Sequence, residues 1–271
     1  MQLTASVIVS TYNNPCALSQ VLRGLTDQAM PPHQIIIADD GSTEGTGAVI
    51  AAWKIKIKNL EHCWQADLGF RKTRALNAAI LRVNCDIVIF LDGDCIPFPS
   101  FIADHLRHAE PGAVLAGGRI LTSRGFKEKL VKSANKRLPN NFFYWLVRFF
   151  LGDVDRVSAL LRIPGRFWRF YAARDWRLLR GCNFSVSREA LLNVNGFDES
   201  YRGWGFEDSD IGVRLINSGM RIKSLRFAAP VLHLWHPEEP RDRAALNTEE
   251  LSCAIRSGRT HALKGLREHE H

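Results

Sequence analysis

An α/β fold with a mostly parallel central sheet flanked by helices is the expectation for these 271 residues, on three observations. Strand-like and helix-like segments alternate through the first hundred residues. The strand-like runs are apolar almost throughout, as strands covered on both faces are. Their ends carry polar clusters: Thr11-Tyr12-Asn13, Asp39-Asp40 and Asp92-Gly93-Asp94. Open α/β sheets bind ligands at the carboxyl ends of their strands. Three such clusters on one edge therefore mark a crevice.

The elements follow in order. Ala5 to Ser10 reads as the first strand, and a helix runs from about Ala17 to Gln28 after the punctuation of Asn13-Asn14-Pro15. Gln34 to Ala38 is the second strand and Thr46 to Trp53 the second helix. A third strand falls within residues 55 to 62. Ala75, Leu76, Ala79 and Ile80 give Phe70 to Leu81 a helical period. Asp86 to Leu91 is the fourth strand. Later, Ile211, Leu215 and Ile216 predict a helix that stops at Gly219, and Ala228 to Leu232 a strand. The polar tail from Glu249 to His271 has a helical period and is expected to be partly disordered. One domain is expected, divided into residues 1–120, an insert at 124–178, residues 179–250 and a tail at 251–271.

The composition narrows the partners. Hydrophobic residues make up 46% of the chain, enough for a core and too many for global disorder. The net charge of +8 suits an anionic partner: a nucleotide diphosphate, a phospholipid surface or nucleic acid. The six cysteines show no C-x-x-C pair and read as reduced, mostly buried thiols of a cytoplasmic protein. Met1 to Ser10 lacks the features of a signal peptide, and no apolar run reaches 18 residues.

The insert is basic and aromatic. Lys127, Lys129, Lys132, Lys136 and Arg137 precede Phe142-Phe143-Tyr144-Trp145 and Arg148-Phe149-Phe150. Arg166-Phe167-Trp168-Arg169-Phe170-Tyr171 and Arg174-Asp175-Trp176-Arg177 continue the pattern. Such interleaving suits a membrane interface, stacking on single-stranded nucleic acid, or an ordinary helical insert with aromatics inside. No RNA-binding motif accompanies it, so nucleic acid is set aside. The expectation is peripheral contact with an anionic membrane, at its inner face.

The chemistry concentrates in two acidic groups. Asp92 and Asp94 sit one residue apart at a strand end and project into one crevice. Buried carboxylates need compensating charge, and a hard divalent cation such as Mg²⁺ or Mn²⁺ supplies it. An isolated Asp-x-Asp is also a common solvated turn. The second group is Gly203-Trp204-Gly205-Phe206-Glu207-Asp208. Its glycines suggest close approach to a ligand. Asp208 at a helix start is either a stabilised anion able to accept a proton or, with Glu207, simply a cap. His233 and His236 follow a strand-like run, and beside an acidic pair either is a plausible metal ligand.

Val9-Ser10-Thr11-Tyr12-Asn13, Asp39-Asp40-Gly41-Ser42-Thr43 and Leu91-Asp92-Gly93-Asp94 together resemble the nucleotide-sugar half of family 2 glycosyltransferases with the Rossmann-like GT-A fold. Gly69-Phe70-Arg71, Arg74 and Asn77 are similar to the segment that precedes that family's metal motif. Arg180 to Ser185, Gly196-Phe197-Asp198 and Gly203 to Asp208 resemble the acceptor half of bacterial chondroitin polymerases and β-1,4-galactosyltransferases. His236-Pro-Glu-Glu-Pro resembles the polymerases' metal-binding histidine segment. The resemblance spans about residues 4–120 and 178–250 and leaves the insert uncovered.

That resemblance implies roles. Thr11, Asn13 and Asp39 or Asp40 hold the base, Arg71 or Arg74 approaches the nucleotide, and Asn77 and Gly93 belong to the same donor site. Asp92 contacts the ribose or metal. Asp94 ligates Mn²⁺ or Mg²⁺, with His236 favoured over His233 as second ligand. Asp208 is the general base, Glu207 binds sugar, and Trp204 with Gly205 forms an acceptor platform. Inversion is implied by analogy. The chain departs at Phe206, where the galactosyltransferases usually have glycine, and at Ser209, where an acid is common. The expected donor is a nucleotide-sugar, a UDP-sugar above others, and the expected acceptor a saccharide or lipid-linked saccharide of cell-surface polysaccharide or lipopolysaccharide.

Two rivals stand beside this reading. A sugar-nucleotide nucleotidyltransferase normally has a glycine-rich loop after strand 1, where this chain has Ser10-Thr11-Tyr12-Asn13-Asn14. A non-catalytic sugar- or nucleotide-binding module has no need of Asp94, His236 and Asp208 together. A Rossmann dehydrogenase and a P-loop NTPase are disfavoured, because neither G-x-G-x-x-G after strand 1 nor G-K-[ST] is present.

Overall fold

Four strands, β1 (Ala5–Thr11), β2 (Gln34–Asp39), β3 (Leu60–Trp64) and β4 (Ile87–Asp92), run parallel in the order β3-β2-β1-β4. The computed structural model describes residues 3–132, 137–163, 165, 167–237 and 242–269. Lys136, Arg166, Glu238-Glu239-Pro240 and the last two residues of the tail lie outside these, as does the side chain of Phe167.

Every residue of β1 and β2 is buried. Alternation divides them between two layers. Val7 and Val9 meet Leu18 and Leu22 of α1 (Pro15–Thr26) on one face. Ile8 and Ile36 meet Ala75, Leu76 and Ala79 of α3 (Lys72–Ile80) on the other. The connection between β2 and β3 is α2 (Glu44–Lys54). Pro15 occupies the first turn of α1, where its missing N–H costs nothing, and the Asn14 side chain caps that turn.

Beyond β4 the sheet is mixed. After α4 (Phe101–His108), β6 (Ala113–Ala116) joins the far side, and β8 (Asn183–Ser187) inserts antiparallel between β4 and β6. The far edge is β9 (Arg221–Ser224), parallel to β6. A second sheet of three short strands, β5 (Cys95–Pro97), β10 (Val231–His233) and β7 (Arg119–Leu121), was not anticipated. Its register sets Cys95 against His233.

The insert is helical in its first half, with α5 (Arg124–Lys132) and α6 (Phe142–Phe150), and among the described residues carries only short 3-10 turns beyond residue 151. α7 (Arg188–Asn193) follows β8. The tail departs from the expected disorder. α9 (Ala244–Ser257) is regular, and Leu266 is buried among the α3 side chains.

The helix that opens at the second acidic group, α8 (Glu207–Asn217), is fixed by buried charge. Asp210 and Arg214 are fully buried and paired at 2.7 Å. The Arg214 guanidinium also donates to the carbonyls of Val194 and Gly196 at 2.8 Å. Arg259 reaches Asp210 at 3.3 Å and Asp198 at 3.7 Å. Removing one partner of such a pair strands the other's charge. Asp210→Ala is therefore expected to lose about 3–5 kcal/mol of stability, read as a lowered denaturant midpoint.

Candidate active site

The register of the large sheet builds the crevice. Thr11 lies beside Asp39 and Ser10 beside Asp92 at the carboxyl ends of β1, β2 and β4. From the opposite wall, α8 presents Glu207 and Asp208 in its first turn. Ser10, Lys72, Asp92, Gly181, Glu207 and Asp208 line one small cavity there.

Lys72 joins the two walls. Its Nζ donates to Asp92 Oδ1 at 2.8 Å and lies 3.9 Å from Glu207 Oε1. Burial opposes its charge, but Asp92, Glu207 and Asp208 outweigh that and hold its pKa above the usual lysine range. Burial likewise opposes the charge of Asp92, yet Lys72 and a hydrogen bond from Ser10 Oγ at 2.7 Å keep its pKa low. Glu207 behaves oppositely. Burial and then the neighbouring Asp208 push it up to about 7, against the pull of Lys72. The N–H of Gly181 donates to Asp208 Oδ2 at 2.9 Å.

The turn that leads into the small sheet holds the other acidic residue of the pair. Asp94 faces two imidazoles, with His236 Nε2 at 3.4 Å and His233 Nε2 at 3.8 Å. His236 Nδ1 lies 2.6 Å from the carbonyl of Pro237, which only accepts hydrogen bonds. That contact suits a proton on Nδ1, the arrangement that leaves Nε2 on the Asp94 side for a metal. Burial keeps His233 below the usual imidazole value despite Asp94, which favours its neutral form. Cys95 is adjacent, but burial and then Cys182 push its thiol well up, which leaves it a neutral thiol. One hard carboxylate with two imidazoles is a donor set that fits Mn²⁺ better than Mg²⁺, which takes oxygen ligands.

The donor side is braced by its own hydrogen bonds. Asp39 accepts from the Ser42 N–H and lies against His62 Nε2, both at 2.8 Å. Asp40 accepts from Gln65 at 2.6 Å and from the Arg71 N–H at 2.7 Å. Each carboxylate keeps lone pairs able to accept from a base. Asn13 caps the loop by accepting from the Thr43 N–H at 2.9 Å. Thr11 Oγ1 is buried with no hydrogen-bond partner among the described residues. Gly93 passes so close that a Cβ there would lie 2.7 Å from the Ser10 carbonyl and 3.2 Å from Thr11 Oγ1.

Several candidates stand elsewhere. The Arg71 guanidinium turns back to the Ala66 carbonyl at 2.6 Å. Arg74 points away, 3.8 Å from Glu199. Asn77 is fully buried, and its amide is occupied by Phe197 N at 2.8 Å, Phe197 O at 2.9 Å and Glu199 at 3.1 Å. Neither Arg74 nor Asn77 reaches the crevice. Trp204 is 39% exposed on a loop that Asn247 holds by donating to the carbonyls of Arg202, Trp204 and Gly205. Phe206 has φ 72°, in the left-handed region that glycine adopts freely. Glycine would hold this conformation without strain, which gives the departure noted at Phe206 a conformational cost.

Sequence reasoning passed over Lys72, His62, Gln65 and Asn247. Lys72 lies in the run Arg71-Lys72-Thr73-Arg74, and nothing in the spacing distinguishes which cation faces the strand ends.

Residues 6–174 match glycosyl transferase family 2, and residues 167–237 match the N-terminal domain of galactosyltransferase. Validoxylamine A glucosyltransferase of Streptomyces hygroscopicus subsp. limoneus is 26% identical over 92% of this chain and 55% of its own length. Chondroitin synthase of Escherichia coli is 24% identical over 89% of this chain and 36% of its own. The chain thus spans little more than half the length of the first of these and about a third of the second. The structure of S. aureus TarS 1-349 in complex with UDP superposes with a TM-score of 0.63 at 18% identity, covering 98% of this chain and 68% of that one.

The raised Glu207 carries a stability consequence. Between its ordinary value of 4.5 and about 7, the folded chain keeps a proton that the unfolded chain releases. Stability is fully present below the lower value and falls as pH rises through the upper one. In Glu207→Gln that fall is expected to flatten, checked by thermal melts from pH 4 to pH 8, a span of about four units around the shift.

Proposed function

The chain belongs to glycosyl transferase family 2 and is a transferase; from that premise we propose a metal-dependent, inverting reaction that moves a sugar from a nucleotide-sugar, a UDP-sugar above others, to a hydroxyl. The acceptor is a saccharide or lipid-linked saccharide of cell-surface polysaccharide or lipopolysaccharide, met at the inner face of the membrane. The observation that carries the reading is the convergence of Asp92, Lys72, Glu207 and Asp208 on one cavity at the strand ends. UDP in the TarS complex and a polysaccharide synthase among the relatives support the donor and the acceptor class.

The residues divide the work. Asp92, fixed by Lys72 and Ser10, receives the ribose. Thr11, Asn13, Asp39 and Asp40 surround the base. Asp208 takes the proton of the acceptor hydroxyl as its oxygen bonds to the anomeric carbon. The bond from that carbon to the diphosphate breaks, and the nucleoside diphosphate leaves with the electron pair. Glu207, partly protonated at neutral pH, donates a hydrogen bond to a sugar hydroxyl. Trp204 offers an apolar face to the acceptor ring. A cation held by Asp94 with His236 or His233 neutralises the diphosphate charge when bound.

UDP release from a panel of UDP-sugars, with Mn²⁺, Mg²⁺ or EDTA, tests this. One donor is expected to react only with metal. Asp208→Asn is expected to lower kcat by about 10²–10⁴-fold with the fold intact. Asp94→Ala is expected to abolish the metal-dependent rate. Full activity of Asp94→Ala at saturating Mn²⁺ removes Asp94 from the site. Absence of both UDP release and metal-dependent nucleotide binding overturns the catalytic reading.

A further inference from the structure

The insert carries a surface that the transferase site does not use. On α6, Phe143 is 72%, Val147 55% and Phe150 77% exposed, and Leu151 follows at 64%. Phe143, Val147 and Phe150 recur at helical spacing and form one apolar stripe. Trp145 is buried and its indole N–H donates to the Pro139 carbonyl at 2.8 Å, so the helix is anchored with the stripe outward.

Beside the stripe, Tyr144 and Arg148 on the neighbouring face of α6 line a cavity of about 590 Å³, bounded also by α1, β5 and α5. Arg23, Lys129, Arg137 and Arg148 line it, against one carboxylate, Asp27. Ile96 and Phe126 give it apolar walls. Arg137 pairs with Asp27 at 2.9 Å, and Arg148 with Asp153 at 3.0 Å from outside the lining. The lining still carries more positive than negative charge. Lys127 and Lys132 of α5 extend the basic character beyond it.

An apolar stripe bordered by cations matches the boundary of a bilayer, where headgroup phosphates lie above acyl chains. Aliphatic Val147 and Leu151 belong among acyl chains and offer nothing to stacked bases. A second copy of the chain would bring the same positive charge to this face, which disfavours self-association. α5 leaves β7, the strand that pairs with His233, and Arg124 at its start lies 5.4 Å over the Trp235 ring. The insert is therefore continuous with the metal-side wall of the crevice.

We propose that the α5–α6 insert seats on an anionic phospholipid bilayer, with the Phe143–Val147–Phe150 stripe in the interface and one lipid phosphate in the four-cation cavity. This deepens the membrane part of the functional reading and does not depend on the assignment of the base.

Sedimentation of the full chain with phosphatidylcholine vesicles, with and without phosphatidylglycerol, tests it. Partitioning is expected only with phosphatidylglycerol and is expected to weaken with salt. Phe150→Ser is expected to reduce it about 10-fold. Lys129→Ser is expected to reduce it about 5-fold. Both variants are expected to release UDP at the parent's rate, which separates failure of this surface from failure of the transferase reading. Equal partitioning into both vesicle types overturns the proposal, as does no partitioning into either. Loss in Phe150→Ser without loss in Lys129→Ser or Arg137→Ser overturns the phosphate seat. Concentration-dependent dimers that Phe150→Ser disperses, without lipid binding, assign the stripe to self-association instead.

Discussion

Lys72 is the cation that lets three carboxylates share one crevice. Asp92, Glu207 and Asp208 line a small cavity from opposite walls, and Lys72 lies between them. Three anions so placed would repel one another in a poorly solvated site. Lys72 binds Asp92 directly and faces Glu207 at a longer distance, so it does not treat the three alike. Asp92 keeps its charge, and Glu207 holds its proton nearly to neutrality. Burial and Asp208 raise Glu207 against the pull of Lys72, whereas Lys72 and Ser10 hold Asp92 down, so carboxyl groups of similar intrinsic acidity differ in protonation. In the proposed reaction this leaves Asp208 as the member of the adjacent pair that accepts a proton, while Glu207 still has one to share.

That arrangement depends on α8 starting where it does. Its first turn follows a loop in which Gly203 at φ 72°, Gly205 at φ 110° and Phe206 at φ 72° are left-handed, with Trp204 between the two glycines. Phe206 is the costly one, since its Cβ crowds the backbone there, by roughly 1–2 kcal/mol. Its ring is partly buried beside Val213, Leu251 and Trp176, and burial of an aromatic side chain is of comparable size. The strain is therefore offset by packing against α9, the helix whose Asn247 also binds the loop carbonyls. A glycine at this position would relieve the strain and lose the packing. The buried Asp210–Arg214 pair then holds the helix at its other side, where no loop could.

Strands β1, β2 and β4 were legible because each is apolar and ended by polar residues, whereas β3, with Glu61 and His62 inside it, runs to Trp64 and past the expected 55–62 window. The acidic groups were legible because strand ends and helix starts are where carboxylates act. The small sheet was not legible. Its strands are three residues long, too short to show a period, and its pairing joins segments more than a hundred residues apart. Choosing among Arg71, Lys72 and Arg74 required the direction of each side chain relative to β4, which sequence spacing does not contain. Asn77 misled for a related reason. A polar residue inside a helix near a motif looks functional, yet it satisfies the backbone of Phe197, which sequence distance had hidden. Leu266, packed beside α3, ordered a tail whose polarity suggested the opposite.

The two acidic residues of the Asp-x-Asp motif end up on different supports. Asp92 closes β4 and is tied through Lys72 to the helix wall. Asp94, two residues on, precedes the small sheet, where the Leu234 N–H donates to its carbonyl at 2.9 Å and the two imidazoles face its carboxylate. Gly93 between them passes against the Ser10 carbonyl with no room for a side chain, so the turn has one tight path. The motif is thus a hinge of composition rather than of motion: one carboxylate belongs to the nucleoside and base side, the other to the histidine side. Substitutions at Asp94 should then act on metal response while leaving the Lys72 cluster assembled, and substitutions at Lys72 should disturb Asp92 and Glu207 while leaving the histidines in place. The hydrogen bonds that fix the two walls do not cross Gly93, yet Asp92 and His233 still feel each other's charge, so a double-mutant cycle across Gly93 measures how far the walls couple.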